Sequence, residues 1–209
     1  YLQNRQQFVT VNNVKSDPLS ISCGVPQGSV LGPVLFLLYI NDFHLCSSFF
    51  DFHLFADDAN LFCSYNYNEF NTMAKKISNE LRNIHSWLCS NQLSLNIEKS
   101  NFVVFHPPQK RSSNVILQIN GEKLKHEKCI KYLGILIDSS LSWKPHIEFI
   151  SKKIRRSIGV LSKIRHYVDI NTLIQLYHTL VQPFLIYGIL AWGNTYQTTL
   201  QPLFVLQKK

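Results

Sequence analysis

Two stretches of this chain place apolar side chains at three- and four-residue steps, and they restrict its fold more than any other feature. Phe70, Met73, Ile77, Leu81, Ile84 and Leu88 form one stripe, and Ile147, Ile150, Ile154, Ile158, Leu161 and Ile164 form another. Each spacing predicts an amphipathic helix with a single buried face. Lys75, Lys76, Glu80 and Arg82 fall outside the first stripe, and Lys152, Lys153, Arg155, Arg156, Lys163 and Arg165 outside the second. Between these helices the short apolar runs 102–105, 115–119, 123–125 and 129–137 read as strands, with Asn120-Gly121 as a two-residue hairpin turn. A further helix is expected over 172–181.

Ahead of the first stripe, 8–11 and 19–23 read as strands around a turn-forming segment that runs from Asn12-Asn13 to Asp17-Pro18. The loop Gly24-Val25-Pro26-Gln27-Gly28-Ser29 follows. Ser29 is placed to cap the next helix, and Pro33 falls in its first turn, where a missing N–H costs little. That helix, over 30–42, is apolar nearly all round and is therefore expected to be buried. Strands at 52–56 and 59–64 are expected to join across Asp57-Asp58. After about residue 140 the pattern becomes helical only. The whole predicts an α+β domain over 1–140, a sheet with helices on one face, followed by a helical module over 141–209.

The charge balance narrows the partners. Twenty-one Lys and Arg against thirteen Asp and Glu give a net charge of +8, which favours polyanions. The segment 141–169 carries seven basic residues against Glu148 and Asp169, so most of the excess sits there. Five cysteines, odd in number and without a C-x-x-C pair, argue against a disulfide scaffold or a structural zinc site and for a reducing compartment. The apolar runs 30–40 and 184–192 are too short to span a bilayer, so no membrane partner is expected.

The sharpest local feature is Phe55-Ala56-Asp57-Asp58, two adjacent carboxylates within an apolar hairpin. Two readings stand. Asp tolerates turns well, and the pair can be turn chemistry alone. Alternatively, carboxylates at a hairpin tip supply hard oxygen ligands to Mg²⁺, which completes its octahedron with water and substrate phosphates. Nucleotidyl transfer uses two such ions roughly 3.5–4 Å apart.

The neighbours of this pair decide between the readings. Gly24-Val25-Pro26-Gln27-Gly28-Ser29-Val30-Leu31-Gly32-Pro33 precedes it, and Leu95-Asn96-Ile97-Glu98-Lys99-Ser100 and then Lys131-Tyr132-Leu133-Gly134-Ile135 follow it. In this order the set resembles the reverse transcriptases of non-LTR retrotransposons, in the jockey-like and CR-one-like groups. The first segment and the carboxylate pair are the specific matches; the other two are supportive. Leu2 to Gln6 and the LIYGILAWG segment (185–193) also resemble family stretches.

The resemblance implies a right-hand polymerase palm over 1–140, incomplete, followed by an α-helical thumb and C-terminal extension over 141–209. It implies RNA-directed DNA polymerase chemistry on an RNA template and a DNA primer, with dNTP as substrate. Asp57 becomes a ligand to Mg²⁺, with Mn²⁺ as the alternative, and Asp58 sits beside it. Gln27 and Gly28 contact the template and the nascent pair, and Phe55 lies near the primer end. Lys99 neutralises or protonates the departing pyrophosphate. Tyr132, Leu133 and Gly134 belong to the hairpin that grips the primer, and Lys152, Lys153, Arg155 and Arg156 meet the backbone of the RNA–DNA hybrid.

The family's first palm motif carries a further catalytic aspartate, expected upstream with the fingers and any endonuclease in the rest of the polyprotein. The 209-residue chain is accordingly expected to be inactive alone. A second reading is a catalytically incomplete nucleic-acid-binding remnant of a retroelement. The expected location is nucleus and cytoplasm, as a ribonucleoprotein, without secretion.

Overall fold

The computed structural model describes residues 2–66, 70–109 and 115–208, with the side chains of Phe70 and Asn71 left aside. Along the chain, β1 (Gln6–Gln7), β2 (Thr10–Val11), β3 (Val14–Lys15) and β4 (Leu19–Ser20) lead to α1 (Gly32–Ile40) and a 3₁₀ turn at Phe43–Cys46. The hairpin β5 (Asp51–Phe55) and β6 (Asp58–Phe62) is followed by α2 (Phe70–Ser90). Short strands come next: β7 (Asn101–Phe102), β8 (Gln118–Ile119), β9 (Glu122–Lys123), β10 (Lys125–His126), β11 (Cys129–Tyr132) and β12 (Ile135–Asp138). Helices α3 (Lys144–Ile164), α4 (Ile170–Leu180), α5 (Gln182–Ile186), α6 (Ile189–Trp192) and α7 (Gln197–Gln207) complete the chain.

These elements divide into two compact units, Tyr1–Leu95 with Leu117–Gly121, and Asn96–Ile116 with Glu122–Lys209. Mixed helix and strand is as expected. In place of the expected antiparallel sheet, however, the described strands pair two by two. Most are only two residues long, too short to recruit a further neighbour.

In the first unit, α2 presents its stripe as predicted: Leu81, Ile84 and Leu88 are buried, and Met73 and Ile77 half-buried. Phe70 belongs to the same stripe, but its side chain lies outside the described residues. Against this face pack β8, with Ile119 and the adjoining Leu117 buried, and the 3₁₀ turn. Phe43 is its anchor, edge-on to Phe52 at 5.2 Å and tilted against Trp87 at 4.8 Å. Glu80 is not simply solvent-facing: its Oε2 accepts from Ser47 Oγ at 2.7 Å, and both residues lie at the helix–turn seam.

Three expectations for this unit change. Asn12 and Asn13 both take positive φ, 49° and 63°, so the turn closes at once and a hairpin, β2–β3, occupies the span read as an open segment. The carboxylate hairpin turns one residue earlier than expected: Phe55 pairs with Asp58, so the two-residue turn is Ala56-Asp57 and not Asp57-Asp58, and Asp58 starts the second strand. Helix α1 is not buried. Ser29 Oγ does accept the Gly32 N–H at 3.0 Å, but Val34, Leu37, Leu38 and Tyr39 are exposed, Leu38 at 70%. Apolar character records a surface that burial would favour; it does not supply the covering element.

In the second unit, Ile147, Ile150 and Ile154 of α3 are buried against Val181, Trp192, Leu203 and Leu206, with Ile158 and Leu161 packed at the margin. The run 129–137, read as one strand, is a hairpin. Leu133 (φ 44°) and Gly134 (φ 87°) form the left-handed pair of a two-residue turn, and Tyr132 pairs with Ile135. Its last residue organises the start of α3. The Asp138 carboxylate, only 7% exposed, accepts from Ser140 Oγ (2.6 Å), Ser142 N (3.0 Å) and Trp143 N (2.9 Å). Burial alone would raise this carboxyl, but the bonds from Ser140, Ser142 and Trp143 outweigh it and hold it below the ordinary 3.8.

Next to it, His146 is 2% exposed and takes the Leu136 N–H on Nδ1 at 3.3 Å; burial lowers its pKa below 6.5 and keeps it neutral. Both groups bind protons more readily in the unfolded chain, so both contribute stability that disappears on acidification. The His146 part begins to fall near pH 6.5, and the Asp138 part below about pH 4. Urea midpoints measured at pH 7.5, 5.5 and 3.5 should fall in that order. Asp138→Ala should cost about 2–3 kcal/mol at neutral pH and shrink the acid limb below pH 4.

Candidate polymerase site and nucleic-acid interface

The β5–β6 hairpin sets its side chains by strict alternation. Cross-strand partners share a face, so Phe55 with Asp58, His53 with Asn60 and Asp51 with Phe62 lie on one side. The contact of His53 with Phe62, centroids 5.2 Å apart, follows from that register. Phe52 and Leu54, with Ala59 and Leu61, lie on the other side, where Phe52 meets Phe43. Asp58 therefore emerges on the face away from the aromatic anchor, next to a Phe55 ring that is 62% exposed.

Asp57 occupies the tip. Ala56 before it has φ 51°, a left-handed conformation that costs a residue with a β-carbon about 1–2 kcal/mol. Such outliers cluster where a side chain must be aimed. Among the described residues no side-chain hydrogen bond or ion pair engages either carboxylate, and both are exposed. Two hard oxygen groups without protein partners fit a Mg²⁺ or Mn²⁺ shell that is completed by water and phosphate. No group of three or more His, Cys, Asp or Glu among the described residues could enclose an ion. The pair thus suits an open, substrate-completed site rather than a protein cage.

Gln27 and Gly28 form the exposed turn ahead of α1, in the same unit. Gly28 has φ 78° and nothing within 4 Å of where a Cβ would stand, so both its backbone angle and the open space in front of it suit close approach by a ligand.

The other predicted residues belong to the second unit. Lys99 is exposed on a turn fixed by Asn96, whose Oδ1 accepts the Lys99 N–H at 3.1 Å and whose carbonyl accepts Ser100 Oγ at 2.9 Å. The Asn-x-x-Lys-Ser pattern is thereby explained as a turn capped by the Asn96 side chain, which carries the lysine. Tyr132, Leu133 and Gly134 make the β11–β12 tip.

Lys152, Lys153, Arg155 and Arg156 are all exposed on α3. Lys152 and Arg156, four apart, lie opposite the Ile147–Ile150–Ile154 face, and Lys153 rests 5.6 Å from the Phe149 ring centroid. Among the described residues no helix is long and apolar enough to cross a membrane.

Two residues escaped the sequence reading. Asp138 is signalled only by the Asp-Ser-Ser run ahead of Lys144-Pro145, and Tyr187 only by its place before a glycine in an apolar stretch.

The loop, the helix and the carboxylate hairpin all fall within the part of the chain that a family profile matches. The sequence profile of reverse transcriptase (RNA-dependent DNA polymerase) matches residues 2–137, and the chain belongs to that family. Its relatives include the RNA-directed DNA polymerases from mobile element jockey of Drosophila melanogaster (26% identical) and Drosophila funebris (28%). The probable RNA-directed DNA polymerase from transposon BS of Drosophila melanogaster is 27% identical. Each alignment covers 100% of this chain and 24% of the relative, so the chain spans about a quarter of their length. No solved structure matches it.

Proposed function

We infer that this chain is the palm (1–140) and the thumb with C-terminal extension (141–209) of a non-LTR retrotransposon RNA-directed DNA polymerase. The observation that carries the reading is the pair Asp57 and Asp58, without a side-chain partner among the described residues at a strained hairpin tip, in a chain aligned along its full length with jockey polymerases. In the mechanism, Asp57 and Asp58 would hold Mg²⁺ or Mn²⁺, which would supply charge neutralisation at the reacting phosphates.

The exposed Phe55 ring, on the Asp58 face, stacks on the primer's terminal sugar or base. The Gln27-Gly28 turn lies against the template strand, which the absent Cβ allows to come close. Lys99 places an ammonium at the leaving pyrophosphate, where it neutralises charge or gives up a proton. Tyr132, Leu133 and Gly134 hold the primer strand. Lys152, Lys153, Arg155 and Arg156 neutralise hybrid phosphates without regard to sequence. The working location that follows is the nucleus and cytoplasm, in a ribonucleoprotein with the remainder of the polyprotein.

A second reading is a binding remnant without catalysis, since two carboxylates alone would under-ligate a two-ion site. Both readings predict that the isolated chain binds a fluorescein-labelled RNA–DNA hybrid, with affinity falling about a hundredfold between 50 and 200 mM salt. Neither predicts dNTP incorporation by it. Salt-insensitive binding would contradict the interface, and robust primer extension by this chain alone would show that the pair suffices. The readings separate when the chain replaces the matching quarter of a jockey polymerase: extension by the chimera supports the enzyme, and its loss the remnant.

A further inference from the structure

The segment LIYGILAWG has no part in the chemistry above, yet within the second unit it meets the β11–β12 tip. Tyr187 Oη donates to the Leu133 carbonyl at 2.6 Å. The Tyr187 ring lies against the other half of the turn, where a Cβ on Gly134 would come 3.3 Å from Cε1. Gly188 (φ 64°) suits this approach: its backbone angle favours glycine, and a Cβ there would fall 2.3 Å from Ile135 Cδ1, so the isoleucine side chain would have to shift for the segment to close on the hairpin.

The position of Tyr187 is set from the core in turn, since buried Trp192 donates Nε1–H to the Tyr187 carbonyl at 2.9 Å. A path of direct contacts thus runs from Trp192 through Tyr187 to a leucine at φ 44°, a left-handed conformation that strains a residue with a β-carbon. Tyr187 itself remains 57% exposed. Its hydroxyl could bond water equally well in an open turn, so this bond does less for stability than for the direction of the Leu133 peptide.

We propose that Tyr187 is a positioning residue that fixes the Leu133–Gly134 tip in the conformation that grips the primer 3′ strand. The proposal rests on the reading of that tip as a primer contact, and it assigns the LIYGILAWG segment the role of a brace. Tyr187→Phe removes the hydroxyl and keeps the ring. Gly134→Ala disturbs the tip itself, at a position with φ 87° and a ring already against it.

The test uses the 209-residue chain and two fluorescein-labelled RNA–DNA hybrids of equal length, one with a recessed DNA 3′ end and one continuous. Y187F should bind the recessed hybrid roughly fivefold more weakly and the continuous one within twofold of the parent, as expected for one lost hydrogen bond. Amide exchange at Gly134 and Ile135 should quicken in the free variant, with the melting temperature little changed. G134A should lose the same preference at least as strongly.

If G134A loses the preference and Y187F keeps it, the tip contacts the primer but Tyr187 does not position it, and the proposal fails. Should the parent chain show no preference for the recessed end, or neither variant alter it, the primer-contact reading itself falls and the proposal with it. Equal weakening on both hybrids together with a lowered melting temperature would make Tyr187 a stability residue only, which also overturns it.

Discussion

Asp57→Ala, in a jockey-type polymerase that carries this chain as its catalytic segment, should lower nucleotide incorporation by ~10³-fold or more while hybrid affinity stays within about twofold. The split follows from where the residue stands. Asp57 is exposed at the tip of a two-residue turn, and no described side chain depends on it for a hydrogen bond. Its removal therefore leaves β5–β6 pairing and the Phe43–Phe52 contact intact. On the proposed function, what is lost is one hard oxygen ligand at the point where phosphate charge would be neutralised. Asp57→Asn should lose nearly as much, because a neutral amide is a poor substitute for a carboxylate toward Mg²⁺. Steady-state primer extension and equilibrium hybrid binding, measured on the same preparation, check both halves. A comparable loss of binding would mean that the pair shapes the hairpin and does not serve chemistry.

The second large effect concerns α3. Lys152→Ala with Arg156→Ala removes two adjacent cations from the helix face opposite the buried isoleucines. Hybrid affinity should fall roughly 10–100-fold at 0.1 M salt, and the slope of log affinity against log salt should flatten by about two. Stability should hardly change, since both side chains are exposed and surface charge contributes little. Lys153 is a useful contrast. Its ammonium already rests over Phe149, so Lys153→Ala should disturb local packing as well as charge. An unchanged salt slope in the double variant would remove α3 from the interface.

The amphipathic helices were legible because their signal is periodic and local: burial of Leu81, Ile84 and Leu88, and of Ile147, Ile150 and Ile154, follows directly from spacing. The family was legible for a different reason, as an ordered set of motifs that includes the carboxylate pair and the Gln27-Gly28 turn, and the match over residues 2–137 shows that family. Elsewhere the information was not local. The run 129–137 has the composition of one strand, and nothing in Leu133 announces a positive φ; the conformation is held by Tyr187, 54 residues away. Asp138 gains its role from amides four and five positions ahead, which align only once Leu141 and Trp143 adopt left-handed angles. Helix α1 failed in the opposite sense: its hydrophobicity was read correctly as a demand for cover, but a demand does not name its partner.

Ala56 has a consequence beyond the strain it carries. Glycine would occupy φ 51° without cost and would make the hairpin easier to form. It would also open a wider range of backbone angles to the tip, and Asp57 would swing through a correspondingly wider arc. A single methyl group thus exchanges some folding free energy for constancy of aim. On the proposed function Asp57 would meet an ion and a phosphate together, and for such a carboxylate the spread of its positions matters as much as its mean.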